Sequence, residues 1–314
     1  MARKSPLDGK LVTLIGGNGF IGSHLAQDLL DRGARVRIAA RNPEKAFRLK
    51  PLANLGQLQF ARCNAADKGS VEACVAGSDA VVYLVGTFGQ NQKALQATGA
   101  GHAARAAKET GASAFAYLSA IGADPAAETG YWSTKGDGEA LVKAAFPKAT
   151  VIRPSVVFGE ESGLIPMFAD LVSMLPVLPV FGAESEFQPV WVDDVAEGIA
   201  NALEDPATHG GKTYEATGPD TLTMLQINQM IAAGQERERV FLPMPDPLAK
   251  IFAMLPLTPI NSDQLAMLKA GSVASKGTPG LAKLGVTAKP LSLFLDRWMV
   301  RFRKHGRFTE KRTA

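Results

Sequence analysis

The sequence predicts an α/β fold, a doubly wound parallel sheet with a smaller C-terminal lobe. Three observations predict it. Short apolar runs alternate with helical patterns through the first half of the chain. A glycine-rich segment stands directly after the first apolar run, and the regular alternation stops after Ser155. Leu11–Ile15 reads as the first strand. Ile21–Arg32 follows with helical spacing at Ile21, Leu25 and Leu29 and a stop at Gly33. Arg35–Ala39 and Leu58–Arg62 read as the next two strands, and Ala80–Val85 as a buried fourth. Lys93–Lys108 is an Ala-rich helix, Ala114–Ser119 a fifth strand, Tyr131–Phe146 a helix, and Thr150–Arg153 a sixth strand stopped by Pro154.

Past Ser155 the texture changes. Glu160–Pro189 is rich in Pro, Gly and Met, with irregular apolar spacing. Val190–Val192 reads as a short strand and Asp193–Leu203 as a helix capped by Asp193 or Asp194. Lys212–Ala216 is a further strand candidate, Thr223–Ala233 an amphipathic helix and Ser262–Leu268 helical, after a Pro-rich apolar stretch at 241–260. The expected organisation is a dinucleotide-binding domain from residues 1–160 and 189–217, a smaller lobe over the cofactor from 161–188 and 218–296, and a basic tail at 297–314.

With 314 residues, 46% hydrophobic and 20% charged, the chain has the balance of an ordinary globular protein. Net charge is +4, but seven basic residues and one acid lie between Arg297 and Arg312, so the rest is slightly acidic. That segment interleaves Trp298, Phe302 and Phe308, and it reads as a frayed terminus or as an amphipathic docking segment for an acidic partner or an anionic lipid surface, not as a nucleic-acid site. Cys63 and Cys74 are the only cysteines; they make no disulfide framework and no zinc spacing, and fit as small buried hydrophobes in a reducing cytoplasm. No metal site is expected: His24 and His102 have no partner at ligand spacing. No apolar run is long enough to span a bilayer, and an early first strand leaves no room for a transit peptide.

Gly16, Gly19 and Gly22 form G-x-x-G-x-x-G, and Gly17, Gly19 and Gly22 satisfy G-x-G-x-x-G. A pyrophosphate must reach backbone N–H groups at a helix N-terminus, and side chains there would block it. The strand before and the helix after supply the context this motif requires. The second strand carries the ribose-reading position. An Asp or Glu there would bind the 2′-hydroxyl of NAD. This chain has no acid at that point and offers Arg41, with Arg37 and Lys45 nearby, so NADP(H) is expected over NAD(H).

Tyr131 and Lys135 are spaced i, i+4 and share a helix face. A lysine ammonium beside a phenol is expected to lower its pKa from about 10 toward the acid–base range. Ser119, at the end of the fifth strand, would hold a substrate oxygen. Together the three would support hydride transfer between carbonyl and alcohol.

At this point the residues resemble a family. Gly16, Gly19 and Gly22, Ser119, Tyr131-x-x-x-Lys135 and Arg153-Pro154-Ser155 together resemble the extended and atypical short-chain dehydrogenases/reductases, to which the NAD-dependent epimerases and dehydratases belong. Phe187–Ala196 is similar to that family's second-half signature. More narrowly, Leu118–Asp124, Tyr131–Glu139, Ile152–Gly159 and Thr258–Leu265 with Leu268-Lys269 look like bacterial relatives of the NADPH-binding accessory subunits of respiratory complex I. The resemblance implies a tightly held NADP(H), a peripheral place on the complex at the cytoplasmic face of the inner membrane, and a role more structural than catalytic. It puts Gly16, Asn18, Gly19, Phe20, Ile21 and Gly22 at the pyrophosphate, Arg41 at the 2′-phosphate, and Asn64 and Ala65 near the adenine. Val85, Gly86, Ser119, Tyr131, Lys135, Pro154, Ser155 and Val157 would line the rest of the cofactor. The usual Asn-rich segment after the fourth strand is replaced by Val85-Gly86-Thr87. Two main readings follow: an accessory or assembly subunit associated with complex I, its Ser119, Tyr131 and Lys135 a remnant, or a soluble NADPH-dependent reductase or epimerase that uses them. A third is a redox sensor that changes partners with cofactor occupancy.

Overall fold

The computed structural model describes residues 4–160, 164–245, 247 and 262–304. Its chain divides into two units. The first comprises residues up to Pro154, Val192–Ala216 and Ser275–Thr287. The second comprises Ser155–Trp191, Thr217–Ala274 and the residues from Ala288 onward.

The first unit is built on a seven-stranded sheet. Its strands are β1 (Leu11–Ile15), β2 (Arg35–Ala40), β3 (Leu58–Arg62), β4 (Ala80–Tyr83), β5 (Ala114–Leu118), β6 (Thr150–Pro154) and a late strand, Thr213–Ala216. Every pairing is parallel. From one edge the order is Thr213–Ala216, β6, β5, β4, β1, β2, β3. The order reverses between β1 and β4, which is where a doubly wound sheet opens a crevice at its strand ends. The strands β1, β4 and β5 are buried at every residue, as expected of strands covered on both faces. Helices α1 (Phe20–Asp31), α2 (Lys68–Val75), α3 (Gly99–Glu109) and α4 (Gly130–Ala145) make the crossovers. The doubly wound sheet read from the sequence is the fold observed, with Thr213–Ala216 as its seventh strand.

The helix expected over Lys93–Lys108 differs at its start. Lys93–Thr98 is a π-helical turn that leads into α3. The buried hydroxyls of Tyr83 and Tyr117 donate to the carbonyls of Leu95 and Gln96 in that turn. Buried phenols need acceptors, and a widened turn exposes carbonyls that a regular helix would use itself. A second difference is α6. After β7 (Val157–Phe158), α5 (Leu164–Met174), β8 (Val177–Val180), β9 (Glu186–Phe187) and β10 (Val190–Trp191), α6 runs over Val192–Glu204. Asp193 and Asp194 therefore lie inside its first turn rather than at the cap. Asp193 instead pairs with His24 on α1.

The remaining elements are α7 (Pro206–His209), the sheet strand Thr213–Ala216 as β11, β12 (Leu222–Thr223), α8 (Met224–Gly234), β13 (Val240–Pro243), α9 (Ser262–Ala270) and α10 (Ser292–Trp298). Ser275–Thr287, expected in the smaller lobe, packs with the first unit. Ser275 Oγ bonds Glu215 at 3.0 Å, the Glu215 amide donates to Pro279 O at 2.9 Å, and Leu281 and Leu284 pack against Gly198 of α6.

The second unit has its own core of Phe158, Ile165, Val172, Phe187, Ile231, Leu295 and neighbours. Phe294 stacks on Trp298 and contacts Phe158 and Trp191. The residues 297–304 were expected to begin a tail. Instead Trp298 and Met299 are buried in this core, because their side chains complete its aromatic cluster. Arg237 and Arg303 fix the segment by bonds to Phe302 O and Gly234 O. The strands β8 and β13 pair in parallel, and Met174 at the end of α5, Val177, Val240 and Leu242 are exposed at 75%, 43%, 56% and 51%. The Pro-rich stretch past residue 247, the segment Thr258–Asn261 and the tail beyond Lys304 lie outside the described residues.

Candidate functional site at the strand ends

The loop between β1 and α1 is shaped by contacts that only glycine allows. Gly16 has φ +86°, a conformation side-chain residues rarely adopt. A Cβ on Gly22 would lie 2.6 Å from the Gly17 Cα, so the helix meets the loop backbone directly. Gly19 is the N-cap of α1, and no side chain caps the helix. The amides of Phe20, Ile21 and Gly22 are thus among the first N–H groups that an α-helix leaves unpaired, at its positive end. This is a cradle for a pyrophosphate. The loop is tied to the next strand by Gly16 N–H to Ala39 O at 2.8 Å and Asn18 Nδ2 to Asn42 O at 3.1 Å.

That second bond brings the end of β2 to the loop. Arg41 is exposed there, and Lys45 lies exposed one turn on. Arg37 is spent elsewhere: its guanidinium donates to Cys74 O at 2.7 Å and Ala76 O at 2.8 Å. After β3, Asn64 is exposed and Ala65 buried; the Asn64 amide bonds Ser70 Oγ, and Asn64 Oδ1 accepts from Ala66 N–H.

On the other side of the switch point, Val85 packs its Cγ2 on Gly16, and Gly86 is exposed. Tyr131 and Lys135 project from α4 toward Gly86. A Cβ on Gly86 would be 3.7 Å from Lys135 Nζ, Tyr131 Oη and Gln96 Oε1 alike. Lys135 Nζ donates to Leu118 O at 2.7 Å and Val85 O at 3.1 Å. Burial lowers the ammonium from 10.5 to about 7, against a smaller opposing pull from Glu139. Burial raises the Tyr131 phenol to about 12. The lowered phenol pKa expected from the spacing is therefore absent: a lysine near half-protonation at neutral pH supplies little positive charge to offset desolvation. Phe88 stacks on the Tyr131 ring at 4.4 Å.

Ser119 departs further from expectation. Its hydroxyl donates to Glu139 at 2.6 Å. Glu139 also holds Arg153 in a bidentate pair, both bonds 2.8 Å, and this hydrogen bonding raises the guanidinium's pKa further. Glu139 was not singled out from the sequence, although it sits i+4 from Lys135 on the same helix face. Pro154 ends β6 and accepts from Ile121 N–H at 3.2 Å. Ser155 and Val157 belong to the second unit, where Ser155 Oγ bonds Ser272 O at 2.8 Å. Among the described residues no group of three or more His, Cys, Asp or Glu could hold a metal. No helix among them is long and apolar enough to cross a membrane.

Sheet order, switch point and glycine cradle define a dinucleotide-binding protein of the Rossmann class. The chain matches the family model described as NAD(P)H-binding over residues 16–206, more than half its length. It is 31% identical to the NADH dehydrogenase [ubiquinone] 1 alpha subcomplex subunit 9, mitochondrial, of Mus musculus, over 92% of this chain and 80% of that protein. It is 28% identical to the same-named subunit of Arabidopsis thaliana, over 96% of this chain and 80% of that one. The solved Citrobacter sp. triphenylmethane reductase, complexed with NADP(H), superimposes with a TM-score of 0.73, at 17% identity, over 91% of this chain and 99% of that chain. That likeness speaks to the fold. The chain belongs to the NAD(P)H-binding family that includes these mitochondrial alpha subcomplex subunits.

Two outcomes follow from the buried groups. Glu139→Ala takes from the half-buried Arg153 guanidinium both carboxylate bonds, leaving it Ala123 O, and deprives the Ser119 hydroxyl of its acceptor; it should lower unfolding free energy in urea by about 3–4 kcal/mol. Ser119→Ala removes one bond to a charged group and should cost only about 1.5–3 kcal/mol. Equal costs would show that the Arg153 pair contributes nothing beyond the serine bond. For Lys135, the folded pKa lies below the unfolded one. Between about pH 7 and 10.5 the unfolded chain holds a proton that the folded chain has released, so stability gained at this position rises with pH. The stability difference between wild type and Lys135→Met should shift in favour of wild type as pH rises through that window; a pH-independent difference would contradict the burial effect.

Proposed function

We propose that this protein is an NADP(H)-holding accessory or assembly subunit of a respiratory NADH:quinone oxidoreductase, complex I, and that its cofactor is mainly structural. The kinship over nearly the whole chain carries this reading. The site supports it. Ser119 is turned into the Glu139–Arg153 pair, the Tyr131 phenol is held far from the acid–base range, and Phe88 covers its ring. A cofactor bound there would brace the ends of β1, β2 and β4 more readily than it would exchange hydride.

The reading includes NADP(H) over NAD(H). Arg41 stands exposed at the end of β2, with no acid on that strand, and a guanidinium suits a 2′-phosphate. Gly16, Asn18, Gly19, Phe20, Ile21 and Gly22 serve the pyrophosphate in this reading, and Asn64 and Ala65 the adenine side. The protein would work in the cytoplasm, peripherally at the inner membrane. The apolar face of Met174, Val177, Val240 and Leu242 on the second unit is the surface we assign to the partner.

Purification from membranes in mild detergent tests the reading: the chain should co-migrate with complex I subunits, and Val240→Glu with Leu242→Glu should release it while leaving its fold intact. A chain that never co-migrates ends the proposal. Arg41→Ala should weaken NADPH binding roughly 10- to 150-fold, the span of a lost charge-assisted contact, and leave NADH binding nearly unchanged. Equal weakening of both nucleotides would remove Arg41 from the 2′-phosphate.

A further inference from the structure

Neither cysteine is used by the reading above. Cys63 directly follows β3, and Cys74 sits in the last turn of α2. Both are buried in the same apolar cluster. Each sulfur points at the other's backbone. Cys74 Sγ lies 3.5 Å from the carbonyl oxygen of Arg62, the residue before Cys63. Cys63 Sγ lies 4.0 Å from the carbonyl oxygen of Ser70, one helical turn before Cys74. Both thiols are free, and each shifts the other's ionisation. A pair of isolated small hydrophobes has no need of this arrangement.

From this geometry we infer that Cys63 and Cys74 form a reversible intramolecular disulfide, a redox modification site beneath the edge of the sheet. The surroundings favour Cys74 as the attacking thiolate. The neighbouring Cys63 thiol, and the Arg37 guanidinium bound to the Cys74 carbonyl at 2.7 Å, favour the Cys74 thiolate and lower the Cys74 pKa. Its neighbour Cys74 and, less strongly, burial push the Cys63 thiol up, so it keeps its proton. The oxidant is a peroxide. The Cys74 thiolate attacks one peroxide oxygen, giving a sulfenic acid and hydroxide. The Cys63 sulfur then attacks the Cys74 sulfur, expelling a second hydroxide; the Cys63 thiol proton and the proton that Cys74 released on ionising convert the two hydroxides to water. In total, two thiols and one hydrogen peroxide become one disulfide and two waters.

Access comes from the position of the pair. The strand β3 is the outermost of the sheet, its residues are half-buried or exposed, and edge elements open locally at low cost. The bond would fasten β3 to α2 across the loop Asn64–Asp67. That loop is already confined, since a Cβ on Gly99 would fall 2.2 Å from Ala65 O. The modification therefore acts on the loop assigned above to the adenine side. This coupling to the cofactor rests on that assignment; the disulfide itself does not.

The test uses the full chain, reduced, then exposed to hydrogen peroxide, quenched by alkylation under denaturing conditions and weighed intact. The expected product is a monomer lighter by about 2 Da and closed to alkylation until a dithiol reductant is added. Cys63→Ser and Cys63→Ala should instead halt at an oxidised, unpaired Cys74. Two thiols still open to alkylation after peroxide, or a bond joining two chains, would overturn the inference. The wild-type mass decides this even if a variant folds poorly. NADPH release, measured by fluorescence, should differ several-fold between reduced and oxidised protein. Equal release rates would overturn the coupling, and failure of both forms to bind NADPH would count against the cofactor reading while leaving the disulfide result standing.

Discussion

A buried amine holds the carboxyl ends of two neighbouring strands together, and the site is arranged around that contact. Lys135 Nζ reaches the carbonyls of Leu118, closing β5, and Val85, just past β4. Both carbonyls accept from it, so the burial that lowers the ammonium to about 7 is met by two hydrogen bonds. With those strand ends pinned, Val85 lies against Gly16, Gly86 opens toward the crevice, and Tyr131 stands one turn before the lysine on the same helix face. Loss of this bridge would loosen both walls of the crevice at once.

A second network lies behind the first. Glu139, one turn after Lys135, gathers Arg153 from β6 and Ser119 from the end of β5. A serine so engaged has donated its proton inward. It remains an acceptor, but it is no longer aimed by its own hydrogen at a substrate oxygen. The same three residue types that support hydride chemistry are thus present, while the polar contacts they make are mostly internal.

The parts of the fold legible in the sequence were those fixed by local pattern. Continuous apolar runs marked β1, β4 and β5 because both faces are covered, and the glycine spacing marked the cradle because backbone must meet backbone at Gly17 and Gly22. Features set by distant partners were not legible. The π-helical turn at Lys93–Thr98 depends on two tyrosines from separate strands. The place of Asp193 depends on His24, and the direction of the Ser119 hydroxyl depends on Glu139. Arg37 and Arg41 look alike in sequence, yet one is consumed by carbonyls beneath the sheet edge and the other left exposed. Glu139 was the missed residue with a local signal, its i+4 spacing from Lys135.

The interleaving of the two units has a consequence for biosynthesis. The chain passes from one unit to the other five times, after Pro154, Trp191, Ala216, Ala274 and Thr287. The parallel sheet receives its last edge strand from Thr213–Ala216, and α6 receives its apolar cover from Leu281 and Leu284. A ribosome must therefore deliver the residues up to Thr287 before the first unit can be completed. Until Thr213–Ala216 emerges, β6 waits as an open sheet edge, the kind of surface that chaperones shield, and α6 lacks its cover until Leu281 and Leu284 follow, so production of this protein should be more sensitive to translation pausing between Pro154 and Thr287 than its early, regular sequence suggests.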